Sequence, residues 1–252
     1  MTYCVAITVN RGLVFVSDSR TNAGVDQIST FSKMHTLVAD GERMITLLSA
    51  GNLATSQAVV RQLRRDLESG ATRSLKTVQH LAEAAEYVGE LSLERRQKHR
   101  IATESKFDPE ASFIVGGQIG GREPQIFLVY PEGNHIRASA ETPYLQIGEV
   151  KYGKPILDRI IRADLPLEDV ARCGLVSMDS TARSNVTVGP PVDLLIYARD
   201  SLREGSRLLL TEDDEYLYEL RKAWQLGLQK AFENLPRLPA SATPNVVRLA
   251  DR

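Results

Sequence analysis

Large and small side chains alternate from Thr2 to Val9, with Tyr3, Val5, Ile7 and Val9 larger and Cys4, Ala6 and Thr8 smaller. A period of two with no polar face predicts a strand buried on both sides. Asn10-Arg11-Gly12 supplies a tight turn, and Leu13-Val14-Phe15-Val16 predicts an antiparallel return ending at Ser17-Asp18-Ser19-Arg20. After a polar loop to Ser32, a second hairpin is predicted over residues 33–49. Met34, Leu37 and Val38 lead into its Asp40-Gly41 turn, and Met44, Ile45, Leu47 and Leu48 lead out. Beyond Ala50-Gly51-Asn52 the period changes. One helix is predicted over 53–68, stopped at Gly70, and another over 75–100, where Leu75, Val78, Leu81, Ala82, Ala85 and Val88 share a face.

Strand signals return at 112–117, at 125–130 and around His135 and Leu145, separated by Gly120-Gly121 and Pro131-Glu132-Gly133. Helices are predicted over 154–162 and 167–178, followed by a strand over 192–197. Strands, two helices, strands, two helices and a strand suit sheets packed on one another with helices outside, an α+β arrangement and not the βαβ alternation of a Rossmann-type fold. From 212 to 234, Tyr216, Leu217, Leu220, Trp224 and Leu228 fall at helical spacing before a Pro-containing end from Pro236. This tail reads as an addition whose apolar stripe docks on its own core or on a neighbouring subunit. The division expected is a core of residues 1–205 and a helical extension and tail of residues 206–252.

The 252 residues are 42% hydrophobic and carry a net charge of −1, enough apolar surface for a core and too little positive charge for nucleic acid or anionic membrane as the main partner. Cys4 and Cys173 lie far apart with no ligand set around them, so neither a disulfide framework nor a zinc site is predicted, and a reducing cytoplasm fits. The first residues lack a signal-peptide pattern, and no apolar run reaches roughly 18 residues. His35, His80, His99 and His135 lack metal-ligand spacing, and Gly116-Gly117 and Gly120-Gly121 lack the remainder of a phosphate loop. The basic run Arg95-Arg96, Lys98 and Arg100 reads as a solvated helix end.

Chemistry is suggested at the N-terminus. Loss of Met1 before the small Thr2 would leave an α-amine beside a hydroxyl on one residue. A hydroxyl is a weak nucleophile at neutral pH, whereas an α-amine, with a pKa of about 7.7–8.0, can take its proton.

Three further segments support this and carry a resemblance to proteasome β subunits. Ser17-Asp18-Ser19-Arg20 resembles the Asp-x-Arg segment ending the second strand, Lys33 stands where the catalytic lysine begins the third, and Ala50-Gly51-Asn52-Leu53-Ala54 resembles the Ala-Gly turn that opens the first helix. The resemblance spans roughly residues 2–200. It implies a four-layer αββα N-terminal-nucleophile hydrolase sandwich, here with an added C-terminal helical extension. Lys33 would lower the amine pKa and help the Thr2 hydroxyl lose its proton, Asp18 would orient Lys33, and the Gly51 N–H would meet the oxyanion. Asp179 and Ser184, in a Ser/Asp-rich segment between a helix and a strand, resemble supporting residues near the amine, with a separation closer to HslV. Thr21, His35 and Ser49 would line the substrate pocket. A single Met before the Thr resembles HslV and the bacterial Anbu (ancestral β subunit) family, and the long helical tail favours Anbu.

Three positions depart from that pattern. Residues 146–153 contain no serine where the proteasome has one, with Glu149 the candidate for its place. Tyr3 replaces a common second Thr, and Lys33 falls one position early once Met1 is discounted. The function expected is threonine-type hydrolysis of peptides or unfolded polypeptide through an acyl-enzyme, without a cofactor, in a homo-oligomeric ring or open spiral that an unfoldase could serve. A non-catalytic structural subunit and an amidohydrolase acting on small amides are the alternatives.

Overall fold

The computed structural model describes residues 1–22, 28–102 and 109–238. In the unit Met1–Asp214, strands β1 (Tyr3–Val9), β2 (Gly12–Asp18), β3 (Arg20–Asn22), β4 (Ile28–Thr30), β5 (Met34–Ala39) and β6 (Arg43–Gly51) lead into helices α1 (Leu53–Glu68) and α2 (Leu81–Ala102). Strands β7 (Ala111–Ile119), β8 (Gln125–Val129), β9 (His135–Arg137) and β10 (Tyr144–Gly148) lead into α3 (Lys154–Ile160) and α4 (Leu167–Ser184), followed by β11 (Val192–Ala198) and β12 (Ser206–Leu210). The second unit, Glu215–Arg252, contains α5 (Glu215–Glu233). Among the described residues no helix is long and apolar enough to cross a membrane.

The fold is α+β with antiparallel sheets. One sheet has the order β10-β1-β2-β11-β12, the other β5-β6-β7-β8-β9, and β3 with β4 forms a short hairpin. Strand parity explains how they pack. Cys4, Ala6, Leu13 and Phe15 of the first sheet share one buried cluster with Met44, Leu48, Ile114 and Ile126 of the second, so the two sheets meet face to face there. The residues between them in sequence point the other way: Val16 and Ile7 lie against Gly174 of α4, and the Tyr3 hydroxyl bonds Ser177 of α4 at 2.6 Å. In the second sheet, Ile45, Leu47, Phe113 and Val115 face Val59 and Leu63 of α1 and Ala85 and Val88 of α2. Each sheet is therefore buried on both faces, which is why its strands lack a polar alternation.

Several boundaries differ from the sequence reading. The second helix begins at Leu81, not Leu75. Thr77 Oγ1 accepts the Ser74 N–H and donates to the Ser74 carbonyl, and Glu83 accepts the Gln79 N–H at 2.8 Å, so a turn precedes the helix. Leu75 and Val78 are nevertheless buried, so their spacing reports burial and not helix. Helix α4 continues past Met178 to Ser184, supported by burial at Asp179 and Thr181 and by a bond from Thr181 Oγ1 to the Ser177 carbonyl. Asp179 and Ser184 thus lie in the helix and not in a segment after it. Residues Ser206–Leu210, placed in the extension by the sequence reading, pair with β11 as β12. The hairpin β3–β4 falls where a polar loop was expected.

Strand β10 ends at Gly148, with φ +87°, and a Cβ there would lie 1.9 Å from the Thr2 carbonyl oxygen. Gly148→Ala is expected to cost at least about 2 kcal/mol in urea unfolding, because a positive φ and a backbone clash add. Gly121→Ala, at φ +72° with nothing within 4 Å, is expected to cost only about 1 kcal/mol. Equal losses would show that the approach of Gly148 to Thr2 is not tight in solution.

Candidate active site

Asp18 ends β2 and is fully buried. Its Oδ1 accepts two hydrogen bonds, from the backbone N–H of Tyr3 at 3.0 Å and from Lys33 Nζ at 2.8 Å. Lys33 immediately precedes β5, is itself buried, and also donates to the Arg20 carbonyl at 2.6 Å. Two good acceptors offset part of the cost of taking an ammonium out of water. The other oxygen, Asp18 Oδ2, has no partner among the described residues. Burial accordingly pushes the Asp18 carboxyl above its usual range, and Lys33 pulls against that rise.

The segment carrying Lys33 is clamped from the first sheet. Asp193 of β11 and Arg207 of β12 are paired, with Nε to Oδ1 at 2.9 Å. Arg207 also donates to the Met34 carbonyl at 3.2 Å, and Ser32 Oγ lies 3.0 Å from that carbonyl and 3.3 Å from Asp193 Oδ2. The residues on either side of Lys33 are thus held by an ion pair, its carboxylate buried and its guanidinium exposed, that the sequence reading did not single out. Its signal was weak: one Asp inside an apolar strand.

The start of the chain is pinned as firmly. The Thr2 carbonyl accepts the Glu149 N–H at 2.7 Å, so the peptide unit between Thr2 and Tyr3 is bonded at both of its polar ends. Glu149 is buried, with its carboxylate 3.2 Å from Asn185 Nδ2 and 3.6 Å from Lys151 Nζ. Absence of a serine was the only sequence signal for this residue, and the structure puts its acid beside the chain terminus. The α-amine, carried here by Met1, has its pKa lowered by burial and by Lys33, against opposing pulls from Asp18 and Glu149.

Thr2, Lys33 and Gly51 line one cleft of about 660 Å³, as do Thr21, His35 and Ser49. Gly51 has φ +102°, and a Cβ there would sit 2.5 Å from the Glu110 carbonyl oxygen. The glycine is required by the bend from β6 into α1, where Asn52 Oδ1 caps the helix by accepting the Thr55 N–H. Asp18 lies behind the cleft, reaching it through Lys33. Asp179 and Ser184 do not line the cleft: Asp179 is buried in α4, Ser184 is exposed at its end, and the following Asn185 reaches Glu149. Among the described residues no group of three or more His, Cys, Asp or Glu side chains is placed to hold a metal ion. The arrangement offers a hydroxyl residue, a buried ammonium held by a buried carboxylate, and a helix start in one cleft. Together these can ease the loss of a hydroxyl proton to a neighbouring base and steady a developing negative charge.

No family model and no curated protein matches the chain. Solved structures do. Anbu (ancestral beta-subunit) from Yersinia bercovieri is 45% identical, with a TM-score of 0.88 over 94% of this chain and 99% of that one. The helical assembly of the Anbu complex from Pseudomonas aeruginosa is 47% identical, with a TM-score of 0.91 over 96% of this chain and 100% of that one. An Anbu (Gly-1) mutant from Hyphomicrobium sp. strain MC1 is 44% identical, with a TM-score of 0.88 over 95% and 100%.

The cleft makes one stability test available. Burial, then the charges of Arg64 and Arg207, push the His35 imidazole down to about 4. The unfolded chain, with an ordinary value of about 6.5, takes the proton first as pH falls, so this group's contribution to stability is lost between those two values. Stability of His35→Gln relative to the unsubstituted protein is therefore expected to improve by on the order of 2 kcal/mol between pH 7 and pH 4.5 in urea titrations. A difference that stays constant with pH would mean that His35 titrates normally.

Proposed function

Because the chain belongs to the Anbu (ancestral beta-subunit) family, we propose that it is a proteasome-like threonine hydrolase acting on amide bonds of peptides or unfolded polypeptide. The observation that carries this reading is the single oxygen of Asp18 that bonds both Lys33 and the N–H following Thr2. It ties a candidate nucleophile and a buried cation to one anchor.

In this reading, loss of Met1 exposes the Thr2 α-amine, which takes the hydroxyl proton directly or through water as Oγ1 attacks the substrate carbonyl. Lys33 stabilises the forming alkoxide and keeps the amine neutral near working pH. The tetrahedral oxyanion is met by the Gly51 N–H at the start of α1, where the helix end favours negative charge. Collapse expels the amine of the leaving peptide, which takes the proton, and leaves an ester on Thr2; water then attacks that ester, and the acid product departs as Oγ1 regains its proton. No cofactor enters this scheme. The resemblance adds Asp179 and Ser184 as supports of the amine, acting through the end of α4. The two packed sheets with helices outside are read as the four-layer αββα sandwich of N-terminal-nucleophile hydrolases, with the helical stretch from Glu215 onward as its extension. The Pseudomonas aeruginosa protein is described as a helical assembly, and a homo-oligomeric ring or open spiral is proposed for this chain on that likeness. Light scattering that gives a monomer at all concentrations would remove this part.

The chemistry is tested by intact mass before and after exposure to a peptide epoxyketone, whose cyclic adduct needs both a threonine hydroxyl and a free α-amine. Loss of Met1 and one adduct per chain are expected, with none in Thr2→Ala. Lys33→Met is expected to slow adduct formation by about 100-fold or more. Retention of Met1 on every chain, or an adduct that persists in Thr2→Ala, would overturn the reading.

A further inference from the structure

The cleft is strongly biased in charge. Among the described residues its lining includes Arg20, Lys33, Arg61 and Arg64 and no Asp or Glu, in a chain whose net charge is −1. Two of these cations are already engaged. Lys33 is bonded to Asp18 and to the Arg20 carbonyl, and Arg20 donates to the Val186 carbonyl at 3.0 Å and lies 3.7 Å from Glu212. Arg61 and Arg64 have neither a hydrogen bond nor an ion pair among the described residues, although other positions on the same helix do: Gln62 and Asp66 bond one another, and Asp66 also takes the Tyr87 hydroxyl.

Helical geometry places the two arginines. The cleft is lined from α1 by Leu53, Ser56, Gln57, Val60, Arg61 and Arg64, spaced by three and four residues, so they form one continuous face of the helix. Arg65, beside them in sequence but off that face, does not line the cleft. At a rise of 1.5 Å per residue, Arg61 and Arg64 stand about 12 and 17 Å along the helix from Leu53. A peptide extended at about 3.3 Å per residue covers that distance in roughly three to five residues. The field of Arg64 also reaches His35 across the cleft on β5, so its charge acts on the space that a ligand would fill.

We infer that this cleft selects acidic peptides, with Arg61 and Arg64 receiving a carboxylate side chain carried several residues from the scissile bond. The inference deepens the hydrolase reading and rests on it for the position of that bond. An exposed arginine–carboxylate pair contributes up to about 1 kcal/mol, so two arginines acting together correspond to a preference of about tenfold. Screening by salt reduces that preference.

The test separates binding from chemistry. Acetylated, amidated peptides carrying one Glu, or Gln in its place, at successive positions are titrated calorimetrically into the full-length Thr2→Ala protein. The Glu form is expected to bind about tenfold more tightly than the Gln form at one or two neighbouring positions. That ratio should fall to about one in Arg61→Gln/Arg64→Gln and recover in part in Arg61→Lys/Arg64→Lys, which rules out a loss through misfolding. Equal affinities for Glu and Gln at every position, or no measurable affinity for the Glu peptides, overturns the inference. The same peptides are then given to the unsubstituted protein. A Glu preference in binding without cleavage removes the hydrolase reading and leaves the acidic site standing, whereas cleavage without a Glu preference removes the acidic site alone.

Discussion

A carboxylate buried in a protein interior is costly unless its charge is met, and Asp18 is fully buried at the end of β2. Its charge is met by two donors on one oxygen, a lysine from the start of β5 and a backbone N–H from the start of β1. Three separate stretches of chain are therefore tied to one atom. The register of the first hairpin decides whether this is available. Cys4 stands opposite Ser17 and Val5 opposite Val16, so Tyr3 arrives beside Asp18. A slip of one residue would turn Asp18 to the opposite face of the sheet and drive Phe15 out of the cluster between the sheets. The same alternation that packs the core therefore aims the carboxylate.

The packing between sheets completes the site. Thr2 and Asp18 belong to the first sheet's side, and Lys33, just ahead of β5, and Gly51, at the end of β6, to the second's. Met34, next to Lys33, and Ala50, next to Gly51, are buried in the cluster that joins the sheets, so the polar residues beside them inherit their positions from apolar neighbours. Cys4 Sγ reaches the Ser49 carbonyl at 3.7 Å across the same interface. The Asp193–Arg207 pair adds a polar tie between the first sheet and the Lys33 segment. Breaking that pair would leave the buried Asp193 without a counter-charge, with Ser32 Oγ as a neutral partner.

Much of this could be read from the sequence because both sheets are buried on two faces and their strands announce themselves by composition. The hairpins around Gly12 and Asp40-Gly41 and the helix beginning after Asn52 follow from turn and cap chemistry that is local in sequence. Thr2, Lys33 and Gly51, with Thr21, His35 and Ser49, were named from a resemblance, and the fold gathers them in one cleft. What escaped the sequence was non-local. Leu75 and Val78 are buried without being helical, Ser206–Leu210 becomes a strand only because β11 offers an edge, and α4 runs on through Asp179 because its face stays buried. Arg61 and Arg64 carry no sequence motif, and only the lining of the cleft gives their face a direction.

Glu149 carries this synthesis one step further. Its N–H fixes the Thr2 carbonyl, and the close approach of Gly148 to the same carbonyl leaves that peptide unit little freedom. Its side chain is a buried carboxylate in the stretch 146–153, where the resemblance to proteasome subunits leads one to expect a neutral serine hydroxyl. In the proposed mechanism the amine must be neutral to act as a base; at the Met1 amine burial and Lys33 lower the pKa while Asp18 and Glu149 oppose them, and the same groups would surround the Thr2 amine once Met1 is lost. A serine would bond the amine without adding charge. A carboxylate adds a pull toward the protonated form, and the Asn185 amide and the exposed Lys151 temper that pull. Around the Met1 amine burial and one cation act against two acids, and Glu149 is one of those acids.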